Sequence, residues 1–438
     1  MTNSLNVHAN KKVALVLILL SLAALCIVII QTDRFGSFEF GSRMIVVPDD
    51  YPTIQAAIDN ASEGDEIFVK NGTYRENLLI SKSVSLKGES RNSTIIQGTG
   101  NATLLVRHDY VNISGFTIQS PVSLIYDYGV HLLSVKHCSV FDNSIEIAQT
   151  GVWLYDASFN NVFENIITEN WSEGIYLDNS NNNTVAKNKI TDNNYNGISS
   201  TNSQSNTIIE NYVLDNGREG IFLGEGSSFN SVIANNVTEN GDSGIQITSE
   251  NNLIKGNSIR ANLVGITLSG SFNTIIENVL ENNKEGIGRG YGFYGTISAN
   301  NVTFQNTIYR NNFINNTKQV HNEYEDNQYL YGHPSKNTWD NGVQGNYWSD
   351  YNGMDNNGDG IGDTPYIINP DNQDRYPLMS PFSNEENPNT TNTKPFSATL
   401  VAVSVALVVI IGAEILFYLG RRKNKSKTFA RPALNRLS

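Results

Sequence analysis

Along the middle of this chain, apolar residues come in short alternating pairs set between asparagines, and the arrangement returns about every 22 residues. From residue 160 to 287 the order is Asn, any residue, aliphatic or aromatic, two of any, Asn, any, aliphatic. Gly and Ile follow some nine residues later. The second asparagine falls at Asn165, Asn188, Asn211, Asn235, Asn257 and Asn278, and the glycine at Gly174, Gly197, Gly220, Gly244, Gly265 and Gly286. A looser copy passes through Val140, Asn143, Ile145 and Gly151. Spacings such as Val185, Ile190 and Ile198 are those of short strands rather than of a helix face. A leucine-rich repeat of this length needs a leucine framework, which the chain lacks. The pattern predicts an all-β fold, a parallel β-helix whose coils each hold three short strands, turned at Gly and Asn corners that often take positive φ. Coils would stack at roughly 4.8 Å.

Asparagine repeated at one inward corner lets each side-chain amide bond the one above and the one below, so a ladder is expected there. The residue after each Gly-Ile or Gly-Val should face outward, giving a column through His131, Trp153, Tyr176 and Ser199. Two places on, a second column passes through Tyr155, Asp178 and Thr201. Large aromatics left on an outer face suggest a binding surface. Sugar rings, with apolar C–H faces and hydroxyl edges, suit an aromatic floor rimmed by a carboxylate or imidazole. His131, Trp153, Tyr155, Tyr176 and Asp178 are therefore the expected substrate-binding residues, for a polysaccharide or surface glycan.

The flanks differ from the repeats. Residues 1–12 end in Lys11 and Lys12, and residues 13–30 are an uncharged apolar run that reads as a membrane anchor or signal peptide. Residues 47–90 carry a short helix opened by Tyr51, Pro52 and Thr53, then strands around 67–69, 79–80 and 84–86, with a turn at 71–73. They are expected to cap the first coil. The repeats occupy 91–320, and a C-terminal cap 321–380. Residues 381–395, rich in Asn, Thr, Pro and Glu, read as a stalk. Residues 396–419 are long enough to span a bilayer, and Arg421, Arg422, Lys423, Lys425 and Lys427 follow on the cytoplasmic side. The solenoid is thus expected outside a cell membrane, on the surface of an archaeal or other prokaryotic cell.

With 39% hydrophobic residues in 438, one long narrow core is affordable. A net charge of −13 argues against nucleic acid as partner. Cys26 and Cys138 lie in different segments, so no disulfide framework is expected. Asn-x-Ser/Thr triplets, among them those at Asn170, Asn182 and Asn236, are compatible with an exterior address.

The segments Pro52-Thr53-Ile54-Gln55-Ala56-Ala57-Ile58, Gly64-Asp65 and Gly72-Thr73-Tyr74-Arg75-Glu76-Asn77 resemble the opening of pectin-lyase-like right-handed β-helices. The repeats resemble the CASH type found in NosD proteins. Gly345-Asn346-Tyr347-Trp348-Ser349-Asp350-Tyr351 and Asp374-Arg375-Tyr376-Pro377-Leu378 are similar to the closing segment of NosD-like surface proteins. The resemblance covers roughly residues 47–380 and implies a right-handed β-helix. The scaffold carries many unrelated functions, so it implies little about activity.

Residues 355–363 hold oxygen donors at alternating positions: Asp355, Asn357, Asp359, the carbonyl of Ile361, and Asp363. These match the first part of a calcium loop. Tyr366 stands where a bidentate glutamate would complete it, so Asp350 or Asp374 would have to serve instead. Calcium there would pin the C-terminal cap. Copper handling, which the resemblance to NosD implies, wants thiolate, thioether or imidazole ligands. The histidines His108, His131, His137, His321 and His333 and the methionines Met44, Met354 and Met379 are scattered, so copper is not expected. A hydrolase, lyase or epimerase needs an acid/base pair, and the two outward columns supply Asp178 alone. The sequence thus favours non-catalytic glycan binding, with a carbohydrate-active enzyme and a purely structural surface protein as alternatives.

Overall fold

The computed structural model describes residues 42–120, 127–288, 305–321 and 336–383. The apolar runs at 13–30 and 396–419, most of the 381–395 stalk and the basic tail lie outside them. Among the described residues no helix is long and apolar enough to cross a membrane.

Short strands succeed one another so that every third one pairs in parallel, which builds three sheets of 12, 12 and 11 strands. In the first sheet Asn161–Phe163 pairs with Thr184–Ala186, and that with Thr207–Ile209, bringing Val162, Val185 and Ile208 side by side. In the second, Ile167, Ile190 and Val213 align in the same way. In the third, Ile175 lies beside Ile198, and that beside Ile221. All nine side chains are fully buried. Each coil thus contributes one aliphatic layer from each of three sides, worth about 1.5–3 kcal/mol per side chain removed from water.

Asparagine forms three ladders rather than one. The expected ladder runs from Asn143 through Asn165, Asn188 and Asn211 to Asn346. A second holds the first asparagine of the motif, from Asn160 through Asn183, Asn206 and Asn337 to Asn372. A third runs from Asn170 through Asn193 and Asn216 to Asn316. Asn211 shows the unit: its Oδ1 accepts the backbone N–H and side-chain amide of Asn188, each at 3.0 Å, while its Nδ2 donates to Val185 O and to Asn235 Oδ1. One short amide thereby satisfies backbone groups that a buried corner would otherwise orphan.

The corner conformation departs from expectation. The ladder asparagines do not take positive φ; the residue before each one from Asn143 to Asn283 does, as at Phe159 (60°), Glu164 (55°) and Glu169 (56°). The turning residue points outward, which leaves the asparagine free to aim inward. The glycine of Gly-Ile does not have a left-handed φ either. A Cβ on Gly197 would stand 2.5 Å from Val213 Cγ1 and 2.7 Å from Gly220 O, so glycine is required there for close packing.

The helix α1 (Ile54–Asn60) buries Ile54, Ala57 and Ile58 against the first strands of the chain. Thr53 is its N-cap, and Pro52 lies directly before it, near the first turn. The carboxylate of Glu76 accepts the free N–H groups of Ile54 at 3.0 Å and Gln55 at 2.9 Å. The turn expected at 71–73 is instead largely strand, Gly72–Tyr74, paired with Thr94–Gln97. Toward the C-terminus, Tyr347–Trp348 extends the second sheet. Trp348 stacks between Phe313, at 4.3 Å, and Tyr366, at 4.2 Å.

Candidate functional site

The aromatic residues meet on the outer face of the third sheet. Register pairs His131 with Trp153 and Leu133 with Tyr155 across the strands Tyr128–Leu133 and Thr150–Tyr155. The strand Ile175–Asp178 then sets Tyr176 beside Trp153 and Asp178 beside Tyr155. The five expected residues therefore form two adjacent columns over three coils.

Their rings are in contact. His131 lies on Trp153 at 4.5 Å between centroids and 15° between planes, and Tyr176 is parallel to Trp153 at 6.4 Å. Tyr155 leans on Trp153 at 58°, and Tyr128 does so from the other side at 53°. The patch is less open than alternation implies. Only Tyr155 is exposed, Trp153, Tyr176 and Asp178 are half-buried, and His131 is 9% exposed. His131 Nε2 and Trp153 Nε1 are buried without a hydrogen-bond partner. Each such group ordinarily costs about 1–3 kcal/mol.

Burial governs the electrostatics. It lowers the His131 pKa to about 4, with a further push from Arg107, so the imidazole is neutral at physiological pH. Burial alone raises the Asp178 carboxyl above its ordinary value. The Tyr176 phenol is raised chiefly by burial, partly offset by its hydrogen bond to Thr201, and raised further by Asp178 and Glu173.

Several neighbours escaped the reading of the sequence. The residue just before the glycine of each coil lies on the same strand face, and in three coils it is a glutamate: Glu173, Glu219 and Glu285. The repeated Glu-Gly-Ile was the available signal. Asp178 is therefore not the sole carboxylate on this face. The Glu219 carboxyl is raised by burial and by Asp242 in the next coil, and that of Asp242 is raised by burial. Tyr128 belongs to the aromatic group but stands on the side of its glycine that was not followed. At the corner leading into the sheet, Trp171 is 62% exposed, and the Arg218 guanidinium lies 4.6 Å over the ring of Tyr195.

The first corner bears a separate aromatic ridge. Tyr110, His137 and Phe159 stack in succession at 5.0 and 5.7 Å, and Phe229 and Phe272 continue the column, all at φ near 60°.

The 355–363 loop is closed by its own hydrogen bonds. Asp355 accepts N–H groups from Gly358, Asp359 and Gly360; Asn357 accepts from Asp359; Asp359 accepts from Ile361; and Asp363 accepts from Asn356. Among the described residues no three His, Cys, Asp or Glu side chains are placed to share a metal ion. Asp350 accepts the Tyr366 hydroxyl, and Asp374 is wholly buried among N–H donors of the cap. The described histidines are dispersed. His108 pairs with Glu63, His137 stacks at the first corner, and His321 pairs with Glu285. Cys138 is buried, and burial lifts its thiol to about 11. Among the triplet asparagines, Asn170 is fully buried with its amide donating to Asn193, whereas Asn182 and Asn236 are exposed.

The family model described as periplasmic copper-binding protein (NosD) matches residues 58–240 and 214–353, more than half of the chain. A cell surface glycoprotein of Methanothermus fervidus is 33% identical over 109 residues, which are 24% of this chain and 17% of that protein. The chain thus matches only about a sixth of that relative's length. Among solved structures, the A-module of mannuronan C-5 epimerase AlgE4 from Azotobacter vinelandii aligns with a TM-score of 0.50 at 15% identity, covering 68% of this chain and 98% of that one. Pectate lyase Pel9A aligns at 0.46 and 13%, covering 69% and 80%. At such identities the likeness concerns the fold.

Proposed function

The chain belongs to the NosD family, and we propose that its solenoid stands outside the cell, anchored at its ends, and binds polysaccharide without turning it over. The observation that carries this reading is the contact group of Tyr128, Trp153, Tyr155 and Tyr176 around a buried, neutral His131, with Asp178 at its rim. Tyr155 is exposed and Trp153, Tyr176 and Asp178 are half-buried, so ring edges and a carboxylate are within reach of a sugar's C–H faces and hydroxyls. Helix α1 and the Trp348 stack act as lids over the two ends of the core. The cell surface glycoprotein relative supports the exterior address.

Binding is tested by polysaccharide pull-down and glycan array with Trp153→Ala and Tyr176→Ala. Both variants are expected to lose retention while keeping the unfolding midpoint within a few degrees. Unchanged retention would remove the patch from the reading. Glu219 and Asp242, neighbouring carboxylates with raised pKa values, support an enzyme as the second reading. Release of reducing ends or unsaturated sugars, lost in Glu219→Gln, would put it first.

The same proposal includes calcium at the 355–363 loop, where Asp355, Asn357, Asp359, the Ile361 carbonyl and Asp363 would supply an all-oxygen donor set suited to that ion once the carboxylates turn from the loop's own N–H groups. Calcium at millimolar concentration should raise the unfolding midpoint, and Asp359→Ala should abolish the rise. Copper handling, named in the family description, would need imidazole or sulfur ligands gathered at one place, and among the described residues no three His, Cys, Asp or Glu side chains are placed to share a metal ion.

A further inference from the structure

We infer that the folded solenoid carries N-linked sugar at Asn182, Asn236 and Asn315, leaves Asn170 bare, and so keeps its third-sheet face free of its own glycans. This rests on the exterior address proposed above and goes beyond it by naming the modified atoms. In the coils from residue 160 onward, the Asn-x-Ser/Thr triplets among the described residues begin at these four asparagines. The sugar donor is a glycan held on a lipid-linked phosphate or pyrophosphate. A bond forms between asparagine Nδ2 and sugar C1 as the C1–O bond to phosphate breaks. The lipid phosphate leaves with that electron pair, and Nδ2 gives one proton to a base of the transferase. Because the triplet is defined by its hydroxyl as well as its asparagine, both groups must be within reach of the transferase.

Asn170 fails on both counts. It is fully buried, its Nδ2 donates to Asn193 Oδ1 at 2.8 Å, and its Oδ1 accepts the Ala148 N–H at 3.1 Å. The Ser172 hydroxyl donates to Glu173 at 2.7 Å. Coils about 4.8 Å apart leave no room for a sugar between two rungs of a ladder. Asn182 and Asn315 instead stand one place before a ladder asparagine, exposed at left-handed corners with φ of 58° and 52°. Their hydroxyls follow on Thr184, half-buried, and Thr317, exposed. Asn236 opens a strand of the second sheet and is exposed, and Thr238 Oγ1 donates to its Oδ1 at 2.8 Å. That bond holds the two groups of the triplet side by side at the surface. Upstream, Asn92 and Asn101 are exposed, but the hydroxyls of their triplets lie on the fully buried Thr94 and Thr103, where they donate to Asn71 Oδ1 and Gln119 O. The described strands of the third sheet contain no asparagine, so sugar of this kind is confined to the corners and the other sheets.

The test is glycopeptide mass spectrometry of the full chain purified from the membranes of its own cells. A membrane-impermeant amine reagent applied to intact cells beforehand reports the address at the exposed Lys189. Peptides holding Asn182, Asn236 and Asn315 should carry sugar mass, and those holding Asn92, Asn101 and Asn170 should not. Thr184→Val, Thr238→Val and Thr317→Val keep the side-chain shape and remove the hydroxyl, so each should lose the mass at its own triplet and leave the others. Sugar at Asn170 would show attachment before the ladder closes and overturn the inference. Mass that survives the valine change in its own triplet would mark a different linkage and overturn it as well. A bare peptide at any of the three open triplets, in a chain whose Lys189 is labelled, would overturn it and leave the exterior address standing. Bare triplets with Lys189 unlabelled would remove both.

Discussion

Asp374 Oδ2 accepts the backbone N–H of Asn346 at 2.7 Å, just as Asn346 Oδ1 accepts that of Asn311 at 3.0 Å. A carboxylate thus terminates this asparagine ladder, and it also receives the indole N–H of Trp348 at 2.8 Å. Burial, partly offset by these hydrogen bonds, raises its pKa from 3.8 to about 6.

That rise fixes the sign of a pH effect. The folded state holds the proton more tightly than the unfolded one, so the contribution of this group to stability is complete below about pH 4 and is lost as pH rises through 6. The difference corresponds to roughly 3 kcal/mol. Urea midpoints should fall between pH 4 and 6 in the parent, and the slope should flatten in Asp374→Asn. An identical slope in the variant would assign the titration to other groups.

Asn211→Ala should cost about 3 kcal/mol or more, because it orphans the N–H of Asn188 and the carbonyl of Val185 within the core. Asn236→Ala, at an exposed position in the next coil, should stay within about 0.5 kcal/mol. Equal losses in denaturant titration would mean that the ladder contributes nothing beyond ordinary turn preference.

Two glycines should answer differently to alanine. Gly197→Ala meets Val213 and the Gly220 carbonyl and should cost about 2 kcal/mol or more. Gly256, with φ of 65° and nothing within 4 Å of a Cβ, should lose only about 1 kcal/mol. Thermal midpoints of the pair distinguish crowding from backbone strain.

Phe229, 59% exposed at φ 60°, has a large ring in a left-handed turn. Phe229→Asn should therefore gain about 0.5–1 kcal/mol. Phe159→Asn should gain less, since it gives up the stack on His137 at 5.7 Å. A loss at Phe229 as large as at Phe159 would show that the free ring is held by contacts as the stacked one is.

Much of this was legible from the repeat. The pairing of Trp153 with Tyr176 and of Tyr155 with Asp178 follows from counting past each glycine, because strands stacked in parallel bring equal offsets together. Counting in one direction only passed over Tyr128 and the Glu173, Glu219 and Glu285 series. Trp171 was hidden inside a glycosylation triplet whose asparagine is buried. The calcium spacing fixed which oxygens share one loop, but not that backbone N–H groups would engage them.

A constant period compels like positions to lie over one another, so the sequence by itself determined the stacking, the aliphatic core and the identity of each column. What lies over a column, how its rings tilt and where a ladder stops depend on contacts between coils and between distant parts of the chain, about which the period says nothing. Only the tertiary structure therefore decided that His131 is buried and neutral, that Gly197 answers to crowding rather than to φ, and that Asp374 ends what asparagine began.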